Sequence, residues 1–300
     1  MITITNLTKR FEDFEALSKL DMNVKKGSIY GLVGTNGAGK TTVIKHVTGV
    51  LRGDSGEVMI DGEPVYNNVS EKKRIGYVQD ELYFLGNYSF KEMGRFYKNI
   101  YKTFNEDRFK EMVNNFDLDL NLKLSRFSKG MQKQAAFILT LCTMPDYLIL
   151  DEPIDGLDPI IRKLVWKYIV KDVAEREMTV LVSSHNLREM EDICDSIGII
   201  SKGRMIIERD LDELKSDIHK VQAAFKDEGI EKEVLKDLKV VHKERRGSVG
   251  LYIIRDKKEK VEKAFKDTNP VIFDMLPLSL EEIFIYEMGG GEDEIEAILS

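Results

Sequence analysis

With 300 residues, a formal net charge of -7, 42% hydrophobic and 32% charged residues, the chain has the length of one large domain plus a smaller one and an ordinary globular composition. Its acidic balance argues against a general nucleic-acid binder, which carries a basic excess. Its longest apolar run, residues 135–144, falls short of the roughly 18 residues a membrane helix needs. The two cysteines, Cys142 and Cys194, stand in apolar or amphipathic runs without CxxC or histidine spacing, which predicts buried reduced thiols and a cytoplasmic setting.

Residues 2–7 alternate apolar and polar as a strand does, and the opening MITITNLTKRF lacks the apolar core of a signal peptide. Residues 29–33 read as a strand that runs into a glycine-rich turn, and residues 40–47 as a short helix. Further strands are expected at 58–60 and 75–78. From residue 89 the period becomes helical: Phe90, Met93, Phe96, Tyr97, Ile100 and Tyr101 recur at turn spacing, as do Phe109, Met112, Val113 and Phe116. This predicts a helical subdomain, about residues 80–145, inserted into an α/β core. Strands return at 147–150, 179–183 and 196–200, with an amphipathic helix over 160–173. The expected first domain spans residues 1–217. A small α/β domain over 218–288 follows, with strands at 221–225, 240–242, 249–254 and 271–275 and helices at 257–266 and 279–288. Residues 289–300 open with three glycines and turn acidic, as a flexible tail does.

The turn GTNGAGKT at 34–41 fits GxxxxGK[ST] between a strand and a helix. Gly34, Thr35, Asn36, Gly37, Ala38 and Gly39 can turn backbone N–H groups inward to make an anion nest at a helix N-terminus. Lys40 can reach the β- and γ-phosphates, Thr41 can offer its hydroxyl to Mg²⁺, and Thr42 extends the nest. This loop predicts a bound nucleoside triphosphate but does not separate a GTPase, a kinase, a helicase and a transporter ATPase.

Six further features narrow the choice. YLILDE at 147–152 is an apolar strand ending in Asp151 and Glu152. RFSKGMQ at 126–132 sets Ser128 and Gly130 at the start of a helix. Gln79 follows the 75–78 strand, IDGLDP at 154–159 carries Asp158, VSSH ends in His185, and Phe11 follows Lys9 and Arg10. In this order and at these spacings the chain resembles the ATP-binding cassette (ABC) ATPases over about residues 1–217. The resemblance implies an α/β P-loop cassette with a helical insertion, working as a dimer around two MgATP. With Thr41 on Mg²⁺, it makes Asp151 the aspartate that holds the ion indirectly, Gln79 the residue that senses Mg²⁺ and the attacking water, and Glu152 the catalytic glutamate that polarises that water. His185 becomes the switch histidine on the γ-phosphate, and Ser128 and Gly130 the anion site for the partner's ATP. Asp158 communicates across the dimer, and Phe11, with Phe14 as a rival, stacks on adenine. The 126–132 segment departs from the family's LSGGQ: Phe127 replaces leucine, Lys129 the first glycine and Met131 the glutamine.

A single cassette followed by a small domain with LSLEEIFIYEM at 278–288 resembles bacterial exporter ATPases for drugs, antimicrobial peptides or peptide toxins. That resemblance implies a separate polytopic membrane subunit docking near Gln79 and the helical insertion. It also implies a second ATPase subunit, identical or not, a place on the inner face of the plasma membrane, and no nucleic-acid partner. The alternative is a soluble ABC ATPase acting on ribosomes, DNA or iron–sulfur assembly. One P-loop rather than two, and no sustained heptad run, weigh against it.

Overall fold

Alternate apolar residues fold the N-terminus into a hairpin with one buried face. In the computed structural model, which describes residues 1–85, 87–153 and 156–288, β1 (Ile2–Phe11) and β2 (Phe14–Val24) pair antiparallel, with Phe11 opposite Phe14 at the turn. Ile2, Ile4 and Leu7 on β1 and Leu20, Met22 and Val24 on β2 are buried. The sequence reading did not include β2. Its Leu17 and Leu20 stand three apart, a helical spacing, because the register shifts where Lys19 takes a φ of +47°.

The strand β3 (Ile29–Val33) leads through the glycine turn into α1 (Lys40–Val47). β4 (Ser55–Ile60) and β5 (Glu63–Pro64) complete a sheet of order β2-β1-β4-β5. The short α2 (Val69–Lys73) precedes β6 (Ile75–Val78). The helical stretch follows as α3 (Phe90–Ile100), α4 (Glu106–Asn115) and α5 (Lys129–Cys142). Ser89 opens α3 in a capping box with Glu92, and Asn105 and Ser128 cap the other two. Phe90 meets Phe109 and Phe127 edge-on, with ring centroids 5.2 and 5.8 Å away.

After the insertion come β7 (Tyr147–Asp151), α6 (Pro159–Arg176), β8 (Thr179–Ser184), α7 (Leu187–Glu191), β9 (Ser196–Ser201) and β10 (Arg204–Asp210). The second sheet runs β10-β9-β3-β8-β7-β6, with β9, β3, β8, β7 and β6 parallel. Every residue of β3, β7 and β8 is buried, which is why these strands read as unbroken apolar runs.

The chain divides into two units: Met1–Asn186 with Ile193–Glu208, and Leu187–Asp192 with Arg209–Ser300. The second thus begins earlier than the expected 218 and takes in α7 and α8 (Leu211–Asp217). Within it, β11 (His219–Ala224), α9 (Glu228–Leu235), β12 (Val240–Arg246), β13 (Val249–Ile254), α10 (Lys258–Lys266) and β14 (Ile272–Leu276) form an antiparallel sheet of order β12-β13-β11-β14. That βαββαβ succession is ferredoxin-like. Its core holds Val221, Tyr252, Ile254, Val261 and Phe265. The closing helix, α11 (Leu280–Met288), holds α7: Arg188 donates twice to Glu281 at 2.9 and 3.0 Å, and the Leu280 N–H donates to Glu191 at 3.2 Å. The expected tail, residues 289–300, lies outside the described residues.

Candidate functional site: a phosphate loop at the carboxyl edge of the parallel sheet

Parallel pairing lines up the carboxyl ends of β3, β6, β7 and β8, the edge where open α/β sheets take their ligands. The glycine turn leaves β3 at that edge. A Cβ on Gly34 would stand 2.4 Å from the Ile200 carbonyl oxygen, so only glycine fits. Gly39 turns the chain into α1 at a φ of +113°, and no side chain caps the helix, leaving its first N–H groups for an anion. Ala38 is buried behind the loop, its N–H donating to the Thr35 carbonyl at 3.1 Å. Lys40, only 5% exposed, donates from Nζ to the carbonyls of Gly34 at 2.6 Å and Thr35 at 3.1 Å. Its Nζ also lies 3.1 Å from Glu152 Oε1, an ionic contact, since that oxygen accepts no hydrogen bond of proper angle.

Asp151 ends β7 and is buried. Its Oδ1 accepts from Ser183 Oγ at 2.7 Å and from Thr41 Oγ1 at 3.3 Å. Glu152 has a φ of +44°, a left-handed conformation that costs a side-chain-bearing residue on the order of 1 kcal/mol or more. Its N–H donates to Ser183 Oγ at 3.1 Å, and its carbonyl accepts from Lys133 Nζ at 2.9 Å. Oε2 accepts from His185 Nδ1 at 2.9 Å, so the proton of a neutral imidazole there sits on Nδ1. Thr41 and Asp151 place hard oxygens side by side, a chemistry that would suit Mg²⁺. Among the described residues no group of three or more His, Cys, Asp or Glu forms an all-protein metal cage.

Lys40, Thr41 and Glu152 border a cleft of about 440 Å³. Thr35, Asn36, Gly37, Gly39, Lys40, Thr41 and Thr42 come to it from the loop, and Phe11, Phe14 and Ala16 from the β1–β2 hairpin. Phe11 and Phe14 are 45% and 64% exposed, so both rivals for a base remain available. Asp80 and Glu152 also line the cleft, with Gln79, half-buried, one residue before Asp80. Ser128, Gly130 and Asp158 are not among its lining residues, and neither are Gly34, Ala38, Gln79, Asp151 and His185. Ser128 accepts from the Met131 N–H at 3.2 Å, and Asp158 caps α6 by accepting from Ile160 and Ile161 at 3.0 Å each. Ile154 and Asp155 of the IDGLDP segment lie outside the described residues.

The sequence reading missed Ser183, Asp80, Tyr77 and Lys133. Ser183 was within reach, since it stands in the VSSH run. Burial, reinforced by the charges of Asp151 and Asp80, pushes the Tyr77 phenol up to about 12, so it stays neutral beside the site. Lys133 gave no signal, because a lysine in the second turn of a helix usually faces water. Both cysteines are free thiols, and burial raises the Cys142 thiol to about 12.

A family profile described as ABC transporter matches residues 17–155. The ABC transporter ATP-binding protein YtrB of Bacillus subtilis is 30% identical over 97% of this chain and 99% of its own length. The chain belongs to the ABC transporter ATP-binding proteins. The bacitracin transport ATP-binding protein BcrA of Bacillus licheniformis is 31% identical to this ABC subunit over 97% of the chain and 98% of its own length. Among solved structures, the dimeric bacterial ABC transporter cassette MJ0796 matches with a TM-score of 0.64 at 22% identity, covering 70% of this chain and 99% of that one, a likeness of fold. This ABC subunit is an ATPase of the transporter type, built on the cassette fold expected from its motifs. Among the described residues no helix is long and apolar enough to cross a membrane.

Proposed function

We propose that this ABC ATPase dimerises around two MgATP and powers a separate polytopic membrane subunit that exports a drug or a peptide. Its similarity along nearly the full chain to a bacitracin transport ATPase supports the cargo class. The observation that carries the catalytic part is the convergence of Lys40 Nζ and His185 Nδ1 on the Glu152 carboxylate, at 3.1 and 2.9 Å, beside the Thr41–Asp151 pair.

Gly34 through Thr42 cradle the triphosphate, and Phe11, with Phe14 opposite, offers a ring to adenine. Lys40 neutralises charge on the β- and γ-phosphates. Thr41 and Asp151, with Gln79 nearby, hold Mg²⁺, which when bound neutralises phosphate charge. Glu152 takes a proton from the attacking water as its oxygen bonds to the γ-phosphorus and the bond to the β-phosphate oxygen breaks. His185, hydrogen-bonded to Glu152, keeps that carboxylate in place and reports the γ-phosphate. Ser128, Gly130 and Asp158 serve the nucleotide of the partner ATPase subunit. A cassette solved as a dimer supports the pairing. The subunit then works at the cytoplasmic face of the membrane, held there by its membrane partner.

Affinity purification of the tagged chain from detergent-solubilised membranes tests this. Recovery of a polytopic membrane protein that alters the ATPase rate is the expected result. Recovery of ribosomes, nucleic acid or sulfur-assembly proteins instead would overturn the export reading.

A further inference from the structure

Lys133 belongs neither to the phosphate loop nor to the cap of α5. It stands in the second turn of that helix with its side chain only 7% exposed. Burying an ammonium is costly unless oxygens meet it. Here the Glu152 carbonyl does so at 2.9 Å, with Asp80 Oδ1 3.8 Å away. The bond therefore ties the helical insertion to the backbone of the glutamate.

Glu152 is where such a tie has consequences. Its φ of +44° is a conformation a glutamate does not keep without support. Ser183 Oγ meets its N–H, and Lys133 meets its carbonyl. With both flanking peptides held, the carboxylate lies 2.9 Å from His185 Nδ1 and 3.1 Å from Lys40 Nζ. Rotation of Glu152 out of its left-handed conformation would swing the carbonyl away from Lys133 and re-aim the side chain.

We propose that Lys133 is a positioning residue for hydrolysis. Through the Glu152 carbonyl it keeps the glutamate in the left-handed conformation that aims its carboxylate into the phosphate-loop cleft. Because α5 carries it, the aim depends on where the helical insertion stands. The proposal rests on Glu152 being the group that activates water.

The test uses the full chain, with single-turnover hydrolysis and ATP affinity measured for Lys133→Met, Glu152→Gln and the double variant. Lys133→Met lowers the hydrolysis rate roughly 10- to 100-fold, the scale of a small misplacement of a catalytic group, while ATP affinity stays within about twofold. In the Glu152→Gln background it causes no further loss, because it acts through that residue. Lys133→Gln, which keeps a polar side chain too short to reach the carbonyl, shows the same rate loss and serves if the methionine variant does not fold. A folded Lys133 variant with wild-type turnover, an affinity that falls in parallel with the rate, or an equal further loss in the Glu152→Gln background would each overturn the proposal. Full hydrolysis by Glu152→Gln itself would instead remove the assignment beneath it.

Discussion

Lys40 and Glu152 neutralise one another across 3.1 Å in a site where both are largely buried. A phosphate that takes Lys40 must displace that carboxylate, so the two compete. Glu152→Gln is therefore expected to slow hydrolysis at least about 100-fold, the usual share of a general base, and to bind ATP more tightly than the parent. Equilibrium binding and turnover of the same preparation check both halves. Lys40→Ala removes the buried charge proposed to bind phosphate, a loss of at least about 2 kcal/mol, so the Kd for ATP is expected to rise about 30-fold or more. Unchanged affinity would refute this account of the loop. Phe11 and Phe14 face the same cleft from opposite strands. Base stacking is worth about 1 kcal/mol or more, so alanine at the ring that carries adenine raises the KM for ATP about fivefold, and alanine at the other leaves it nearly unchanged. Kinetics of both variants assign the role, and two unaffected variants would remove both rings from it.

Elements carry a different kind of dependence. Arg108 of α4 holds Asp172 of α6 with two hydrogen bonds at 2.7 and 2.8 Å, the pair being 13% and 3% exposed. Arg108→Ala leaves a buried carboxylate without that partner and is expected to destabilise the chain by about 3 to 5 kcal/mol in denaturant unfolding. Replacing both partners by apolar residues of similar size recovers much of that loss. Ser128→Ala removes one cap, worth about 1 kcal/mol, and lowers the Tm by about 2 to 4 °C. Its effect on ATP-driven dimerisation is expected to be much larger than that small shift accounts for. A variant that dimerises normally would leave Ser128 as a cap and nothing more. The elements were unevenly legible. Buried parallel strands announce themselves as apolar runs, and capped amphipathic helices by their period. β2 hides its alternation behind a bulge, and α9 is a short helix of eight residues with a glycine in its first turn. Missing α9 hid the ferredoxin-like order of the second unit.

For the whole molecule, the loop and Glu152 line one cleft with His185 bonded to the glutamate, while Ser128 and Asp158 are engaged in capping their own helices. On the proposed reading, the complete arrangement takes Ser128, Gly130 and Asp158 from a second subunit. Glu152→Gln chains are expected to pass from monomer to dimer on adding MgATP and to stay monomeric in MgADP, as read by light scattering. A monomer under both conditions would count against the paired site.

The motifs were local and the sequence alone determined them. A phosphate nest, an acid pair at a strand end, and a capped helix each need only a few consecutive residues, so their identity and approximate element survive without coordinates. Tertiary structure decided what stands between those motifs. The Glu152 backbone held by Ser183 and Lys133, the carboxylate shared by Lys40 and His185, and the strand order of the second unit all join residues distant in sequence. Such contacts arise from packing many elements at once, and no short window of the chain encodes them.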